Sequence, residues 1–236
     1  GDILTANYLP LPRTDNPSRK FQDKFKRLIQ PVSKYKYVFW VAGNHEYYSG
    51  LWQDTIPTMK DFTAKYSSNI KVFEDDWQMV DDVFFVGSTF WTNMNNHDPV
   101  FMYNVKHWMN DYRVIYAQNT PPRSIVPELT VAKHEHSKAY LDFVLPKDKK
   151  VVVFTHHPAS LQALNHLHSG NALDPAFASN YDNFILERPQ IKAWISGHTH
   201  MTMDIKIGEC NMISNPRGYK HEHTFKVFKP DRVIEV

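Results

Sequence analysis

Three short apolar runs along this chain each end in a polar segment that carries histidine. Tyr37–Ala42 leads into Gly43-Asn44-His45-Glu46, Val151–Thr155 into His156-His157, and Ile191–Ser196 into Gly197-His198-Thr199-His200. Runs of this length bounded by polar residues predict buried strands whose C-terminal ends open into loops. Tyr35–Val41, Lys71–Phe73, Trp77–Val80 and Val83–Gly87 read as strands, the last two joined at Asp81-Asp82. Helical spacing appears at Pro17–Gln30, where Phe21, Phe25 and Leu28 fall at i, i+4 and i+7, and at Trp52–Tyr66, where Ile56, Met59, Phe62 and Tyr66 form one stripe. Thr130–Leu145 predicts the longest helix, with Ala132, His136, Tyr140, Phe143 and Val144 on a shared face. Tyr181–Glu187 predicts a short one. Thr202–Ile207, Met212–Ser214, Thr224–Phe228 and Arg232–Val236 alternate and predict late strands.

Strand–helix–strand alternation with a strand-rich tail predicts an α/β layered fold in which the late strands form a second sheet packed on the first. No repeat or linker divides residues 1–236, so a single domain is expected to bring the three clusters together. Residues 90–127 fit neither period and hold Trp91, Phe101, Tyr103, Trp108, Tyr112 and Tyr116 among polar residues. A connection of that length predicts a lid-like insertion over a site, its aromatics packing it onto the body. Open α/β sheets bind ligands at the C-terminal ends of their strands. The three clusters sit at that edge.

Composition narrows the chemistry. Thirteen histidines among 236 residues supply an abundant metal-ligand type that titrates near neutrality. The formal charge of +2 is too small to imply a nucleic-acid groove by itself. One cysteine, Cys210, excludes an intrachain disulfide and a thiolate metal site, and reads as a small buried residue. The apolar runs are far shorter than a membrane span, and Gly1–Pro10 has no signal-peptide pattern. The cytoplasm is the expected compartment. The chain opens on Gly1-Asp2 without a methionine, so its natural start is expected upstream.

A divalent metal that activates water takes a few nitrogen and oxygen ligands and keeps one position open. Asp2, Asn44, His156, His198 and His200 are the right types, and a mixed His/Asn/Asp set suits Mn, Fe, Zn or Ni more than Ca. A lone loop histidine is ordinarily a hydrogen-bonded residue. Three strand-end clusters, two of them with paired histidines, shift the reading to a metal centre.

In order, Gly1-Asp2, Gly43-Asn44-His45-Glu46, Thr155-His156-His157 and Gly197-His198-Thr199-His200 resemble motifs of the calcineurin-like metallophosphoesterase superfamily. Gly87-Ser88-Thr89-Phe90-Trp91-Thr92, Asn110-Asp111-Tyr112-Arg113 and Asn215-Pro216-Arg217-Gly218-Tyr219 are similar to further segments of its bacterial and phage-type branch, so the likeness spans nearly the whole chain. It implies a four-layer αββα sandwich of two mixed sheets flanked by helices, and two divalent metal ions, with Mn favoured. By that likeness Asp2 bridges the ions, Asn44, His156 and His198 complete one, and His200 binds the other. The implied reaction is hydrolysis of a small phosphomonoester or phosphodiester, a nucleotide-like molecule among the possibilities and a long nucleic acid not expected, by hydroxide generated on the metals. His45 then protonates the leaving oxygen, oriented by Glu46. Candidate substrate contacts are His157, Arg217, Asn110 and Asp111, the last two also holding residues 90–127 near the metals.

The family's Asp-x-His segment lies upstream of its Gly-Asp, where this chain begins. An N-terminally truncated sequence is therefore expected. The alternative is a metal-poor member of the same fold serving as a binding or scaffold module. His134, His136, His166 and His168 read as non-ligands, Tyr219 as structural, and His221-Glu222-His223 as strand-edge surface. Arg19–Arg27 reads as a solvated helix face.

Overall fold

The computed structural model describes residues 1–9, 23–27, 31–32, 34–164 and 171–236. Most of the predicted Pro17–Gln30 helix, with Phe21, Leu28 and much of the basic stretch Arg19–Arg27, lies outside them, as do His166 and His168. Of that helix, residues 23–27 are described and are helical. The strands are β1 (Val38–Val41), β2 (Ile70–Phe73), β3 (Asp76–Val80), β4 (Val83–Ser88), β5 (Tyr116–Asn119), β6 (Pro122–Ser124), β7 (Lys150–Thr155), β8 (Ile191–Ser196), β9 (Met203–Ile207) and β10 (Cys210–Ser214).

The large sheet is mixed and runs β3-β4-β7-β8-β10-β9. Its four inner strands are mutually parallel, and the edges β3 and β9 pair antiparallel. β7 is buried from Val151 to Thr155, which is why it reads as continuous rather than alternating: a central parallel strand is covered on both faces. On one face Phe84, Val86, Val151, Val153 and Trp194 pack against Leu141, Phe184 and Ile185 of the helices Pro127–Val144 and Asp182–Leu186. On the other face Phe154, Phe85 and Ile195 meet Phe39, Val41 and Phe73.

Those last residues belong to a small sheet in which β1 and β2 pair in parallel. Alternation turns Trp40, Ile70 and Val72 the other way, onto Met59, Ile56 and Phe62 of the helix Trp52–Tyr66. Helix, small sheet, large sheet and helix are thus stacked as an αββα sandwich. Its middle is an aromatic seam, with Phe39 4.9 Å from Phe73, 5.2 Å from Phe85 and 5.7 Å from Phe154 between ring centroids.

Three expectations are corrected. The late strands β9 and β10 do not build the second sheet. Met212 and Ile213 bury opposite faces of β10, so it fits inside the large sheet beside β8, while β1 and β2 form the small one. Thr224–Phe228 is a helical turn, His223–Val227, closed by Phe228 N–H to the Thr224 carbonyl at 2.9 Å, and residues 232–236 carry no regular structure. Five alternating residues are too few to separate a strand from one helical turn.

The helix Pro127–Val144 buries Thr130, Val131, His134, Ser137 and Leu141, and leaves Phe143 88% exposed. A polar residue wins the inner face because its bonds are made: the His134 ring binds the Trp91 carbonyl through Nδ1 and lies 2.7 Å from Tyr181 Oη through Nε2.

Residues 90–127 fold into the helix Pro99–Trp108, the turn Asp111–Val114 and the β5–β6 hairpin. Asp98 caps that helix, accepting from the N–H groups of Val100 at 2.9 Å and Phe101 at 3.1 Å. Trp91, Val105, Tyr112, Ile115 and Ile125 join the core under β1, whereas Tyr103 and Trp108 face outward.

Candidate metal centre

The loops after β1, β7 and β8 meet at one corner of the sandwich, at the C-terminal ends of parallel strands. Close approach there depends on Gly43. A Cβ at Gly43 would sit 2.2 Å from Asp2 Oδ1 and 2.6 Å from His156 Cε1, so only glycine admits both groups.

Glu46 is fully buried, and among the described residues its carboxylate bonds to backbone N–H groups rather than to the His45 ring. Its carboxylate accepts the backbone N–H groups of Asp2 and Gly43 at 2.6 Å on Oε2, and of Ile3 at 2.6 Å and Leu4 at 3.1 Å on Oε1. The expected orientation of His45 by Glu46 is corrected to this role: Glu46 ties the Asp2 segment to the β1 loop. Asp2, held in the left-handed region at φ 59°, then accepts His45 N–H on Oδ1 at 3.1 Å.

Four donor atoms converge on this corner. His156 Nε2 lies 3.2 Å from Asn44 Oδ1, 3.1 Å from His198 Nδ1 and 3.4 Å from Asp2 Oδ1. Ligand atoms of Asp2, His156 and His198 all fall within 4.8 Å of one another. One proton on His156 Nε2 can bridge to only one of these neighbours, which leaves other lone pairs directed at each other. A cation relieves that conflict. His156 Nδ1 and His198 Nε2 are buried without a hydrogen-bond partner among the described residues. The donor set therefore fits a divalent ion.

Electrostatics agree. Burial, and then the neighbouring His156, push His198 down to about 3, and burial followed by His198 and His156 pushes His157 well down. Burial alone would raise Asp2. The imidazoles of His156, His45 and His198 overcome it and hold the carboxyl well below its usual range. Asp2 is thus favoured as a carboxylate and His198 as a neutral imidazole, the forms in which these groups ligate a metal.

Asn44 is aimed from behind. Its Nδ2 donates to Asp111 Oδ1 at 2.8 Å, and Tyr48 Oη donates to the same oxygen at 2.8 Å. Asp111 thus reaches the centre through Asn44, whereas Asn110 is exposed. His200, also at positive φ, places Nδ1 2.9 Å from Glu222 Oε2, so its remaining nitrogen for a ligand is Nε2.

His157 is buried. Its ring stacks on Trp91 and its Nδ1 lies 3.2 Å from the Thr89 carbonyl, so it stands behind His156 and His198 rather than in the cavity. His45, His198, His200, Arg217 and Tyr219 line a cavity of about 940 Å³. The His45 ring stacks on Tyr48 at 4.5 Å, and within the cavity the Arg217 guanidinium lies 5.2 Å from the Phe225 ring.

Sequence reasoning missed Tyr48 and Glu222. Glu222 is not strand-edge surface; it precedes the turn His223–Val227 and is partly buried. No local pattern marks either residue, since each acts on a partner brought to it by the fold.

An α/β sandwich that gathers Asp2, Asn44, His156 and His198 beside its parallel strand ends, with His200 on the adjoining cavity wall, has the architecture of a metal-dependent phosphoesterase. Residues 1–202 match the family model for calcineurin-like phosphoesterases, and the chain belongs to that family. It is 28% identical over 237 residues to an uncharacterized protein, L509, of Acanthamoeba polyphaga mimivirus, a match that covers 94% of this chain and 80% of that one. The phosphopantetheinyl hydrolase of Mycobacterium tuberculosis shares the fold, with a TM-score of 0.60 at 12% identity over 92% of this chain and 78% of that one. Among the described residues no helix is long and apolar enough to cross a membrane.

Proposed function

We propose that this chain is a dinuclear metal-dependent phosphoesterase that hydrolyses a small phosphomonoester or phosphodiester in the cytoplasm. In this reading Asp2, Asn44, His156 and His198 would hold one divalent ion, and His200 with Asp2 a second, Mn favoured. The observation that carries it is the convergence of Asp2 Oδ1, Asn44 Oδ1 and His198 Nδ1 on His156 Nε2. When bound, divalent ions supply an activated water and offset charge developing on the phosphoryl oxygens.

The chain's own groups do the rest. His45, beside Asp2 and open to the cavity, donates its proton to the leaving oxygen. Arg217 pairs with the substrate phosphate. Asp111 acts through Asn44 and does not contact substrate. The net charge of +2 suits a small molecule better than a long polyanion.

Elemental analysis joined to a phosphoester screen tests the reading. Full-length protein loaded with Mn should hold two ions per chain and hydrolyse bis-p-nitrophenyl phosphate, the p-nitrophenyl monoester or a cyclic nucleotide, and EDTA should abolish the activity. Full-length protein that retains no metal after incubation with Mn would reject it and leave a scaffold module of the same fold.

A further inference from the structure

The reading above assigns His200 to a metal but leaves unexplained what fixes its ring. The backbone does not do it alone: His200 sits in the left-handed region at φ 49° in the loop after β8. Its neighbour is Glu222. Both carboxylate oxygens face His200 Nδ1, Oε2 at 2.9 Å and Oε1 at 3.1 Å. The carboxylate is itself anchored, because Oε2 accepts Tyr219 N–H at 2.7 Å, lies 3.5 Å from Thr224 Oγ1, and the Glu222 N–H returns to the Tyr219 carbonyl at 2.9 Å.

The loop is wound tightly around this carboxylate. Gly218 has φ +64°, and a Cβ there would lie 2.4 Å from Glu222 Oε2 and 2.2 Å from Thr224 Oγ1. Glycine at 218 is therefore what lets the loop close on Glu222.

Resting on the phosphoesterase reading, we propose that Glu222 is the positioning residue for His200. Its carboxylate holds the proton on Nδ1, fixes the ring plane, and leaves the Nε2 lone pair for the second metal. A carboxylate behind a ligating histidine raises the basicity of the ligand, and removing such a partner costs about 10–100-fold in metal affinity. Asp111 does the corresponding task for Asn44 on the other ligand set. Each candidate metal position thus has its own carboxylate, one from the 90–127 segment and one from the tail.

Two measurements test the proposal. The first needs neither metal nor a variant: long-range ¹H–¹⁵N correlation spectra of the metal-free wild-type chain should show His200 protonated on Nδ1. Protonation on Nε2 overturns the proposal. The second is calorimetric titration of Mn into wild type and Glu222→Gln. The variant should take up its first equivalent as wild type does and its second about 10–100-fold more weakly. Gly218→Ala should reproduce that selective loss. Wild-type affinity for both equivalents, or an equal weakening of both, overturns the assignment to His200. A wild-type chain that binds no Mn overturns the phosphoesterase reading, and the tautomer measurement then decides on Glu222 alone.

Discussion

Asp111 Oδ1 lies 2.8 Å from Asn44 Nδ2, and this contact decides which end of the Asn44 amide faces the metal centre. With the nitrogen committed to Asp111, the oxygen is turned to His156 Nε2 at 3.2 Å. Asp111 is buried, which raises its carboxyl, and the hydrogen bonds from Asn44 and Tyr48 oppose that rise. Asp111→Ala should leave the Asn44 amide nitrogen only the long contact to Tyr48 Oη at 3.5 Å, and so free the amide to turn. The expected result is a 10–100-fold loss in Mn affinity, read by calorimetry, with Tyr48→Phe giving a smaller loss. Unchanged affinity in Asp111→Ala would remove Asp111 from the site.

His45 shares the cavity with the ligands, yet among the described residues its ring stacks on Tyr48 rather than joining the donor cluster. His45→Ala is expected to lower turnover by about 10²–10⁴-fold, the usual scale for losing a general acid. Metal content, measured by elemental analysis, should stay at the wild-type value. Hydrolysis at the wild-type rate in this variant would contradict the assigned role.

Gly43 is where the aspartate and histidine loops touch. Gly43→Ala places a methyl group 2.2 Å from Asp2 Oδ1, so it should displace Asp2 and reduce Mn affinity. The size expected is tenfold or more, on the order of 1.4 kcal/mol, by the same titration. A variant with wild-type affinity would show that Asp2 is not held as described.

His134 supplies a pH dependence of stability away from the metal centre. Burial lowers it from its ordinary 6.5 to about 4. The folded protein therefore resists a proton that the unfolded chain accepts. Stability from this group is complete above about pH 6.5 and falls as pH drops from there through 4, by at most roughly 3 kcal/mol. Urea unfolding of wild type and His134→Gln, run in EDTA, should show wild type more stable at pH 8 and the gap narrowing at pH 5. A gap that stays constant with pH would rule out a buried neutral His134.

Much of the fold was legible from apolar runs. The helix Trp52–Tyr66 and the strand Ile191–Ser196 begin and end where their patterns do. Both carry enough residues for period and length to agree. The tail was misread because residues 224–228 span a single turn, over which alternation and helical spacing are indistinguishable. The exposed Phe143 shows another limit. Hydrophobicity favoured its face of the helix, but the bonded His134 and small Ser137 allow closer packing on the other.

By itself the sequence determined the donor types and their delivery: an asparagine and three histidines after apolar strands, and an aspartate at Gly1-Asp2. Strand-end placement follows from periods of two and 3.6 residues, which are local and can be read along the chain. Only the tertiary structure decided which carboxylates stand behind those donors. Asp111 reaches Asn44 across 67 residues and Glu222 reaches His200 across 22. Glu46, read as the orienter of His45, instead gathers four backbone N–H groups. Contacts of this kind depend on how the sheets and loops stack, and a side chain's partner across such a distance leaves no periodic mark in the sequence.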